Sequence, residues 1–260
     1  MPPFHAHVPP LALLATPKPS CASAAPRPTL TRAPSVPQVN KCDTSKCEVY
    51  VCPSMIHVAL VNGKFTNGAQ VCPQNCNFKG TGAFTGEAAV EQMKDMGISW
   101  VLLGHSERRE LFKETDELLA TKLAYVLEKG MNCVFCIGEK KEERESGATM
   151  EVCKKQLEQI KGLLDPARVV IAYEPVWAIG TGLTATPEMA QETHKQIRDW
   201  IKENVSAAAA DAMRIQYGGS ANGANAPALS AQPDIDGFLV GGASLKPEFA
   251  DIVAAISAAK

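Results

Sequence analysis

The stretch RVVIAYEPVWAIGTG, Arg168 to Gly182, decides how the chain is read. Val169-Val170-Ile171-Ala172-Tyr173 is apolar without alternation, the pattern of a strand covered on both faces. A carboxylate, Glu174, stands at its exit. Pro175 fixes the chain there, and an apolar trio, Val176-Trp177-Ala178, leads to Gly180 and Gly182. An acid beside Trp177 is partly desolvated, which raises its basicity. Glu174 is therefore expected to act as a general base beneath a loop that can close.

Outward from this stretch the same unit repeats. Apolar runs recur at Glu48–Cys52, Ala69–Cys72, Trp100–Leu103, Met131–Ile137, Met213–Tyr217 and Gly237–Val240. Amphipathic stretches lie between them. Thr115–Glu128 opens on an N-cap threonine and acids, and Pro187–Asn204 has Thr186 as cap and proline at the first helical position. Continuous apolar strands separated by helices predict a parallel sheet within the α/β class. At about 30 residues per strand-helix unit, the chain from Cys47 onward holds seven units, one fewer than a closed eight-fold barrel needs. Polar clusters sit at the strands' C-terminal ends, the face on which parallel barrels build their sites. His105 precedes a helix start at Ser106, where backbone N–H groups would hold the imidazole neutral and able to polarise a carbonyl. Gly180, Gly218-Gly219-Ser220 and Gly241-Gly242 offer bare backbone N–H groups at loop tips, and GGASLKPE, Gly241–Glu248, reads as a helix start suited to phosphate.

Composition narrows the function classes. The chain has 260 residues, 45% hydrophobic and 21% charged, with net charge −2. No basic stripe argues for nucleic acid, and no apolar run reaches the ~20 residues a membrane helix needs. Nine cysteines lack a disulfide-scaffold spacing. Cys133 and Cys136 form a CxxC inside an apolar run; on a strand they face opposite ways, so buried thiols are expected. Scattered histidines offer no metal site. Neither metal nor cofactor is expected.

Residues 1–42 differ from the rest. They contain no Asp or Glu, four cations (Lys18, Arg27, Arg32, Lys41) and ten of the 18 prolines. Prolines that dense are expected to preclude a helix. The segment is read as a disordered leader dispensable for folding, with residues 43–260 as the α/β domain. Two readings stand: a targeting peptide for an organelle stroma or matrix, plastid rather than mitochondrion, or a bland leader on a cytoplasmic protein.

The chain resembles the triosephosphate isomerase family. CPQNC, GAFTGE, LGHSERRE, CIGE, AYEPVWAIGTG, YGGS and DGFLVGGASLKPEF stand in the family's order and spacing over about residues 43–260. The resemblance implies a TIM (β/α)8-type barrel, here lacking the usual first βα unit. It implies cofactor-free interconversion of dihydroxyacetone phosphate and glyceraldehyde 3-phosphate in glycolysis and gluconeogenesis, by a homodimer. Glu174 matches the base and His105 the electrophile, a pairing for which this family is itself the type case. Gly180, Ser220, Gly241 and Gly242 match the phosphate-binding amides. Residues 175–185 match the lid, which Tyr217 and Ser220 hold closed. The loop Gln74 to Glu87 matches the segment that enters the neighbouring subunit, with Thr85 near its tip.

One departure is visible. The family's first strand ends in Asn-Trp-Lys, whose lysine binds substrate, and no such motif occurs here. Glu107, which the family pairs with that lysine, loses its partner. PLALLATPK, with Lys18 at its end, is the one stretch that could imitate the strand. Without it, sheet edges near Glu48 and Gly237 would lie open. The alternative function is a catalytically impaired family member that keeps only phosphate binding; a phosphate-binding barrel of other chemistry is a third reading.

Overall fold

A computed structural model of the chain describes residues 11–13, 20–21, 35–179 and 185–260. The strands are β1 (Leu11–Leu13), β2 (Ser20–Cys21), β3 (Tyr50–Cys52), β4 (Gln70–Val71), β5 (Trp100–Leu103), β6 (Asn132–Ile137), β7 (Val169–Tyr173), β8 (Arg214–Tyr217) and β9 (Gly237–Phe238). The seven apolar runs read from the sequence are β3 to β9. Helices intervene between most of them, including Asp116–Glu128, Thr149–Ile160 and Pro187–Asn204. Thr115 and Thr186 cap as expected, accepting from Leu118 and Met189 N–H at 3.2 Å each. Each cap satisfies one of the orphan donors of a helix's first turn.

β5 to β9 are parallel and in sequence order, with β2 added beyond β9. β3 and β4 form a second parallel pair, with β1 on its far edge. No ladder joins β4 to β5; the Leu102 N–H donates to the Pro73 carbonyl at 2.8 Å across that seam.

The strands bury both faces, which is why they do not alternate in polarity. On β6, Val134 and Cys136 join an inner cluster with Leu102, Val170 and Ala172. Cys133, Phe135 and Ile137 face outward against Leu123, Leu157 and Ile197 of the helices. The two CxxC thiols thus lie on opposite faces. The eight cysteines from Cys42 to Cys153 are free and buried. At the N-terminal end of the strands, Arg214 pairs with Glu48 at 2.8 Å and lies 5.5 Å over the Trp100 ring, tying β8 to the entry of β3 through the interior. Among the described residues no helix is long and apolar enough to cross a membrane.

The N-terminal segment corrects three expectations. The edges expected to be open, near Glu48 and Gly237, are paired: β1 lies antiparallel on β3, and β2 parallel on β9. Leu11–Leu13, from the stretch considered as a substitute first strand, does form a strand. It runs against the barrel's sense, however, with Leu13 opposite Tyr50 at the N-terminal end of β3. Ser20 is likewise registered with Gly237 at the start of β9. The strand ends flanking Lys18 therefore lie at the face opposite the polar clusters; Lys18 itself is outside the described residues. Finally, Ser35–Val39 is helical despite Pro37. A proline in the first turn removes an N–H that has no intrahelical partner, so it is tolerated there. Val39 is fully buried with Phe249, Ile252 and Val253 of the last helix in the inner cluster. The expected leader, 1–42, thus includes residues that pack on the rest of the chain. A targeting role concerns residues mostly outside those described.

Candidate active site

The C-terminal ends of β5, β7, β8 and β9 surround a cavity of about 550 Å³. His105, Glu107 and Glu174 line one side; Ser220, Gly241 and Gly242 line the other. Lys246 is the one cation in the lining among the described residues; it lies 3.3 Å from Glu248.

Glu174 leaves β7 with 2% of its surface exposed. Its carboxylate accepts from the Ser106 N–H at 3.0 Å and the Ser106 hydroxyl at 3.4 Å. His105 Nε2 lies 2.8 Å from the Glu174 Oε1. Three donors from the start of one helix thus converge on the acid. Two glycines make room for it. A Cβ on Gly138 would fall 1.8 Å from the Glu174 carbonyl oxygen, and one on Gly218 2.9 Å from its Cγ.

His105 caps the helix Ser106–Leu111. Its Nδ1 accepts from the Glu107 N–H at 3.4 Å, which places the ring proton on Nε2, facing Glu174. Burial alone would push the imidazole pKa down, but the Glu174 charge and hydrogen bond outweigh burial, and the net shift is upward. The direction of this shift is opposite to the one expected from the helix N-terminus. A helix of fewer than two turns exerts a weak field, whereas the carboxylate is in contact. Glu107, half-buried, lies 3.7 Å from His105 Nδ1. Burial raises its pKa, His105 opposes this, and Glu174 adds to it. Arg109 braces the same corner, donating to the Gly104 carbonyl at 2.7 Å and the Cys136 carbonyl at 3.0 Å, and pairing with Asp116 at 2.5 Å.

The loop after Glu174 is fastened from below. Glu139 is fully buried; its carboxylate accepts from the Trp177 indole at 3.0 Å and the Tyr173 hydroxyl at 3.0 and 3.1 Å. Burial raises its pKa against the pull of these donors and of Arg144. Ser220 Oγ donates to the Ala178 carbonyl at 2.5 Å. Tyr217 is buried under the glycine pair, so close that a Cβ on Gly219 would meet its hydroxyl oxygen at 2.2 Å. At Gly241 and Gly242 a Cβ would meet no protein atom within 4 Å. The open space in front of these two residues is that of the cavity. The stretch read as a helix start forms a short 3-10 turn, Gly242–Leu245, and the helix proper begins at Phe249.

The structure therefore brings Glu174, His105, Glu107, Ser220, Gly241 and Gly242 to one cavity. Gly180 falls outside the described residues. Thr85 is exposed on the loop Gln74 to Glu87 and does not line the cavity. Sequence reading missed the parts played by Ser106, Glu139 and Arg109. All three sit in quoted strand-end clusters, but nothing in their spacing says which neighbours they hold.

Comparison with known proteins gives consistent matches. The family model described as triosephosphate isomerase matches residues 32–256. The chain is 51% identical to the triosephosphate isomerase of Debaryomyces hansenii over 211 residues, covering 80% of this chain and 85% of that protein. It is also 51% identical to the cytosolic triosephosphate isomerase of Oryza sativa subsp. japonica over 211 residues, covering 81% and 83% respectively.

Proposed function

The chain belongs to the triosephosphate isomerase family, and from that premise we propose how its residues interconvert dihydroxyacetone phosphate and D-glyceraldehyde 3-phosphate. Glu174 removes a proton from the carbon next to the substrate carbonyl and returns it to the neighbouring carbon, through an enediolate. His105 donates its Nε2 proton toward the developing oxyanion. Its ring is already aimed by the Glu107 N–H. When Glu174 turns to substrate, the charge that raises the His105 pKa leaves, and the Nε2–H is released to donate to the substrate oxygen.

Phosphate is held opposite, by backbone N–H groups at Gly241 and Gly242 and by Ser220, with Gly180 as a further donor. The observation that carries this reading is the single cavity with the acid and imidazole on one wall and the unobstructed glycine pair on the other. Residues 175–185 serve as the lid, with Trp177 on Glu139 as its anchor. Dimerisation through the loop Gln74 to Glu87, with Thr85 reaching the second subunit, is part of the proposal. So is an organellar address carried by the N-terminal segment, although one relative above is named as cytosolic.

The test is turnover of both triose phosphates by the full chain, with inorganic phosphate as competitor. Reversible isomerisation inhibited by phosphate is expected. Phosphate binding without isomerisation would establish the impaired alternative.

A further inference from the structure

Gln156 presents an unusual side chain to the sheet. It lies on the helix Thr149–Ile160, within the stripe Cys153, Leu157 and Ile160 that packs on the strands, and it is buried. An apolar side chain there would bury no polar group of its own. Instead its amide takes both peptide groups of Gly138: the Gly138 N–H donates to Oε1 at 2.8 Å, and Nε2 donates to the Gly138 carbonyl at 3.2 Å.

Gly138 needs this partner because of where the strands end. It is the first residue beyond β6. On the β7 side the ladder continues past it: the Glu174 N–H donates to the Ile137 carbonyl at 2.7 Å, and the Val176 N–H to the Glu139 carbonyl at 3.1 Å. On the other side β5 has already ended, with its last pair at Leu103 and Phe135. The N–H and C=O of Gly138, which point that way, have no strand to meet. The Gln156 amide takes the place of a missing peptide unit and extends the sheet by one residue. That residue is in van der Waals contact with Glu174, since a Cβ on it would overlap the Glu174 carbonyl. Behind it lies a second cavity of about 400 Å³, lined by Gly138, Gln156, Ser106 and Val176. Packing alone therefore does not stop Gly138 from moving away.

We propose that Gln156 is a positioning residue for the isomerisation: its amide pins Gly138, and Gly138 sets the depth at which the Glu174 backbone, and so its carboxylate, enters the site. Gln156 touches neither substrate nor reacting atoms. This rests on the assignment of Glu174 as base.

The experiment compares Gln156→Leu and Gln156→Glu with the parent in the full-length chain. Displacing a base by a fraction of an ångström lowers turnover more than binding. Gln156→Leu is therefore expected to lower kcat by about 10- to 100-fold, with KM and inhibition by inorganic phosphate within about twofold. Gln156→Glu keeps the acceptor for the Gly138 N–H, but it can donate to the Gly138 carbonyl only when protonated. Its kcat relative to the parent should therefore rise as pH is lowered from about 8 to 6, a dependence that a space-filling role would not produce. Both variants are checked for a cooperative melt, and the near-isosteric glutamate variant serves if the leucine variant does not fold. A kcat within about twofold of the parent, accompanied only by a lower Tm, would overturn the proposal. The His105 titration by NMR provides a readout without turnover: as Glu174 retracts, the His105 pKa should fall in Gln156→Leu, and an unchanged titration refutes the idea. If the parent itself does not isomerise trioses, the functional reading fails, and this titration still decides the role of Gln156.

Discussion

Replacing Glu174 by glutamine separates the chemistry of the site from its architecture. The carboxylate accepts three contacts, from His105 Nε2, the Ser106 N–H and the Ser106 hydroxyl. An amide of the same shape has one oxygen and one NH2. If the oxygen faces the Ser106 N–H, the NH2 faces the His105 Nε2–H, donor against donor. The ring must then rotate its proton to Nδ1, against the Glu107 N–H, or lose its partner. One unmade buried hydrogen bond costs about 1–3 kcal/mol, so stability should drop by that amount. Loss of the base is the larger effect on rate, about 10²–10⁴-fold, or roughly 3 to 5 kcal/mol of activation free energy at 1.36 kcal/mol per decade. A coupled assay in both directions gives kcat, and inorganic phosphate as competitor reports the far wall, which the substitution does not touch. The His105 resonance provides an internal check. With the Glu174 charge gone, burial is left without its main opponent, and the imidazole pKa should fall below its ordinary value. Turnover within tenfold of the parent, or a His105 pKa that stays raised, would refute the assignment.

Other expectations follow from the same geometry. His194 is fully buried, and burial holds its pKa down at about 4. The unfolded state thus takes up the proton first. Stability present above pH 6.5 is lost as pH falls toward 4, by about 3 kcal/mol at 1.36 kcal/mol per unit, and denaturant titrations across that range read it. Arg198 bonds Asp234 at 2.7 Å, Asp236 at 2.6 Å and the Ala210 and Met213 carbonyls at 2.8 and 2.7 Å. Arg198→Met should cost about 3 kcal/mol, a Tm drop of roughly 6–12 °C for a chain of this size; a shift under 2 °C would show the pairs to be dispensable. Removal of residues 1–21 should lower Tm and promote association seen by light scattering, because it bares the outer edges of β3 and β9. An unchanged melt would restore the reading of a dispensable leader.

Much of this was legible in the sequence because it is written locally. Val169–Tyr173 lacks polar residues because both of its faces are covered, and Thr186-Pro187 announces its helix by cap chemistry. Glu174 and His105 could be picked out because each stands where an apolar run stops. The N-terminal segment could not be read this way. Leu11–Leu13 is too short to carry a period, and its pairing depends on an edge made by residues some forty positions later. The direction of the His105 shift was hidden for a similar reason. The decisive neighbour, Glu174, is distant in sequence, and the local helix argued the other way. Gln156 was invisible because a glutamine on a helix is ordinarily a solvated residue.

The seam between β4 and β5 bears on how the molecule comes apart. Six strands from β5 to β9 and β2 share continuous ladders, whereas β3 and β4 are joined to them mainly by side chains and one backbone bond. Opening events should then begin at this boundary, and amides of β4 should exchange with solvent well before those of β6 to β8. The loop Gln74 to Glu87 follows directly from β4, on the weaker side. A second molecule gripping that loop would therefore act as a clasp on the seam, so that assembly tightens the very region where an isolated chain is loosest. Dilution should loosen the barrel there first, in the same place that a chaperone or protease would find its foothold.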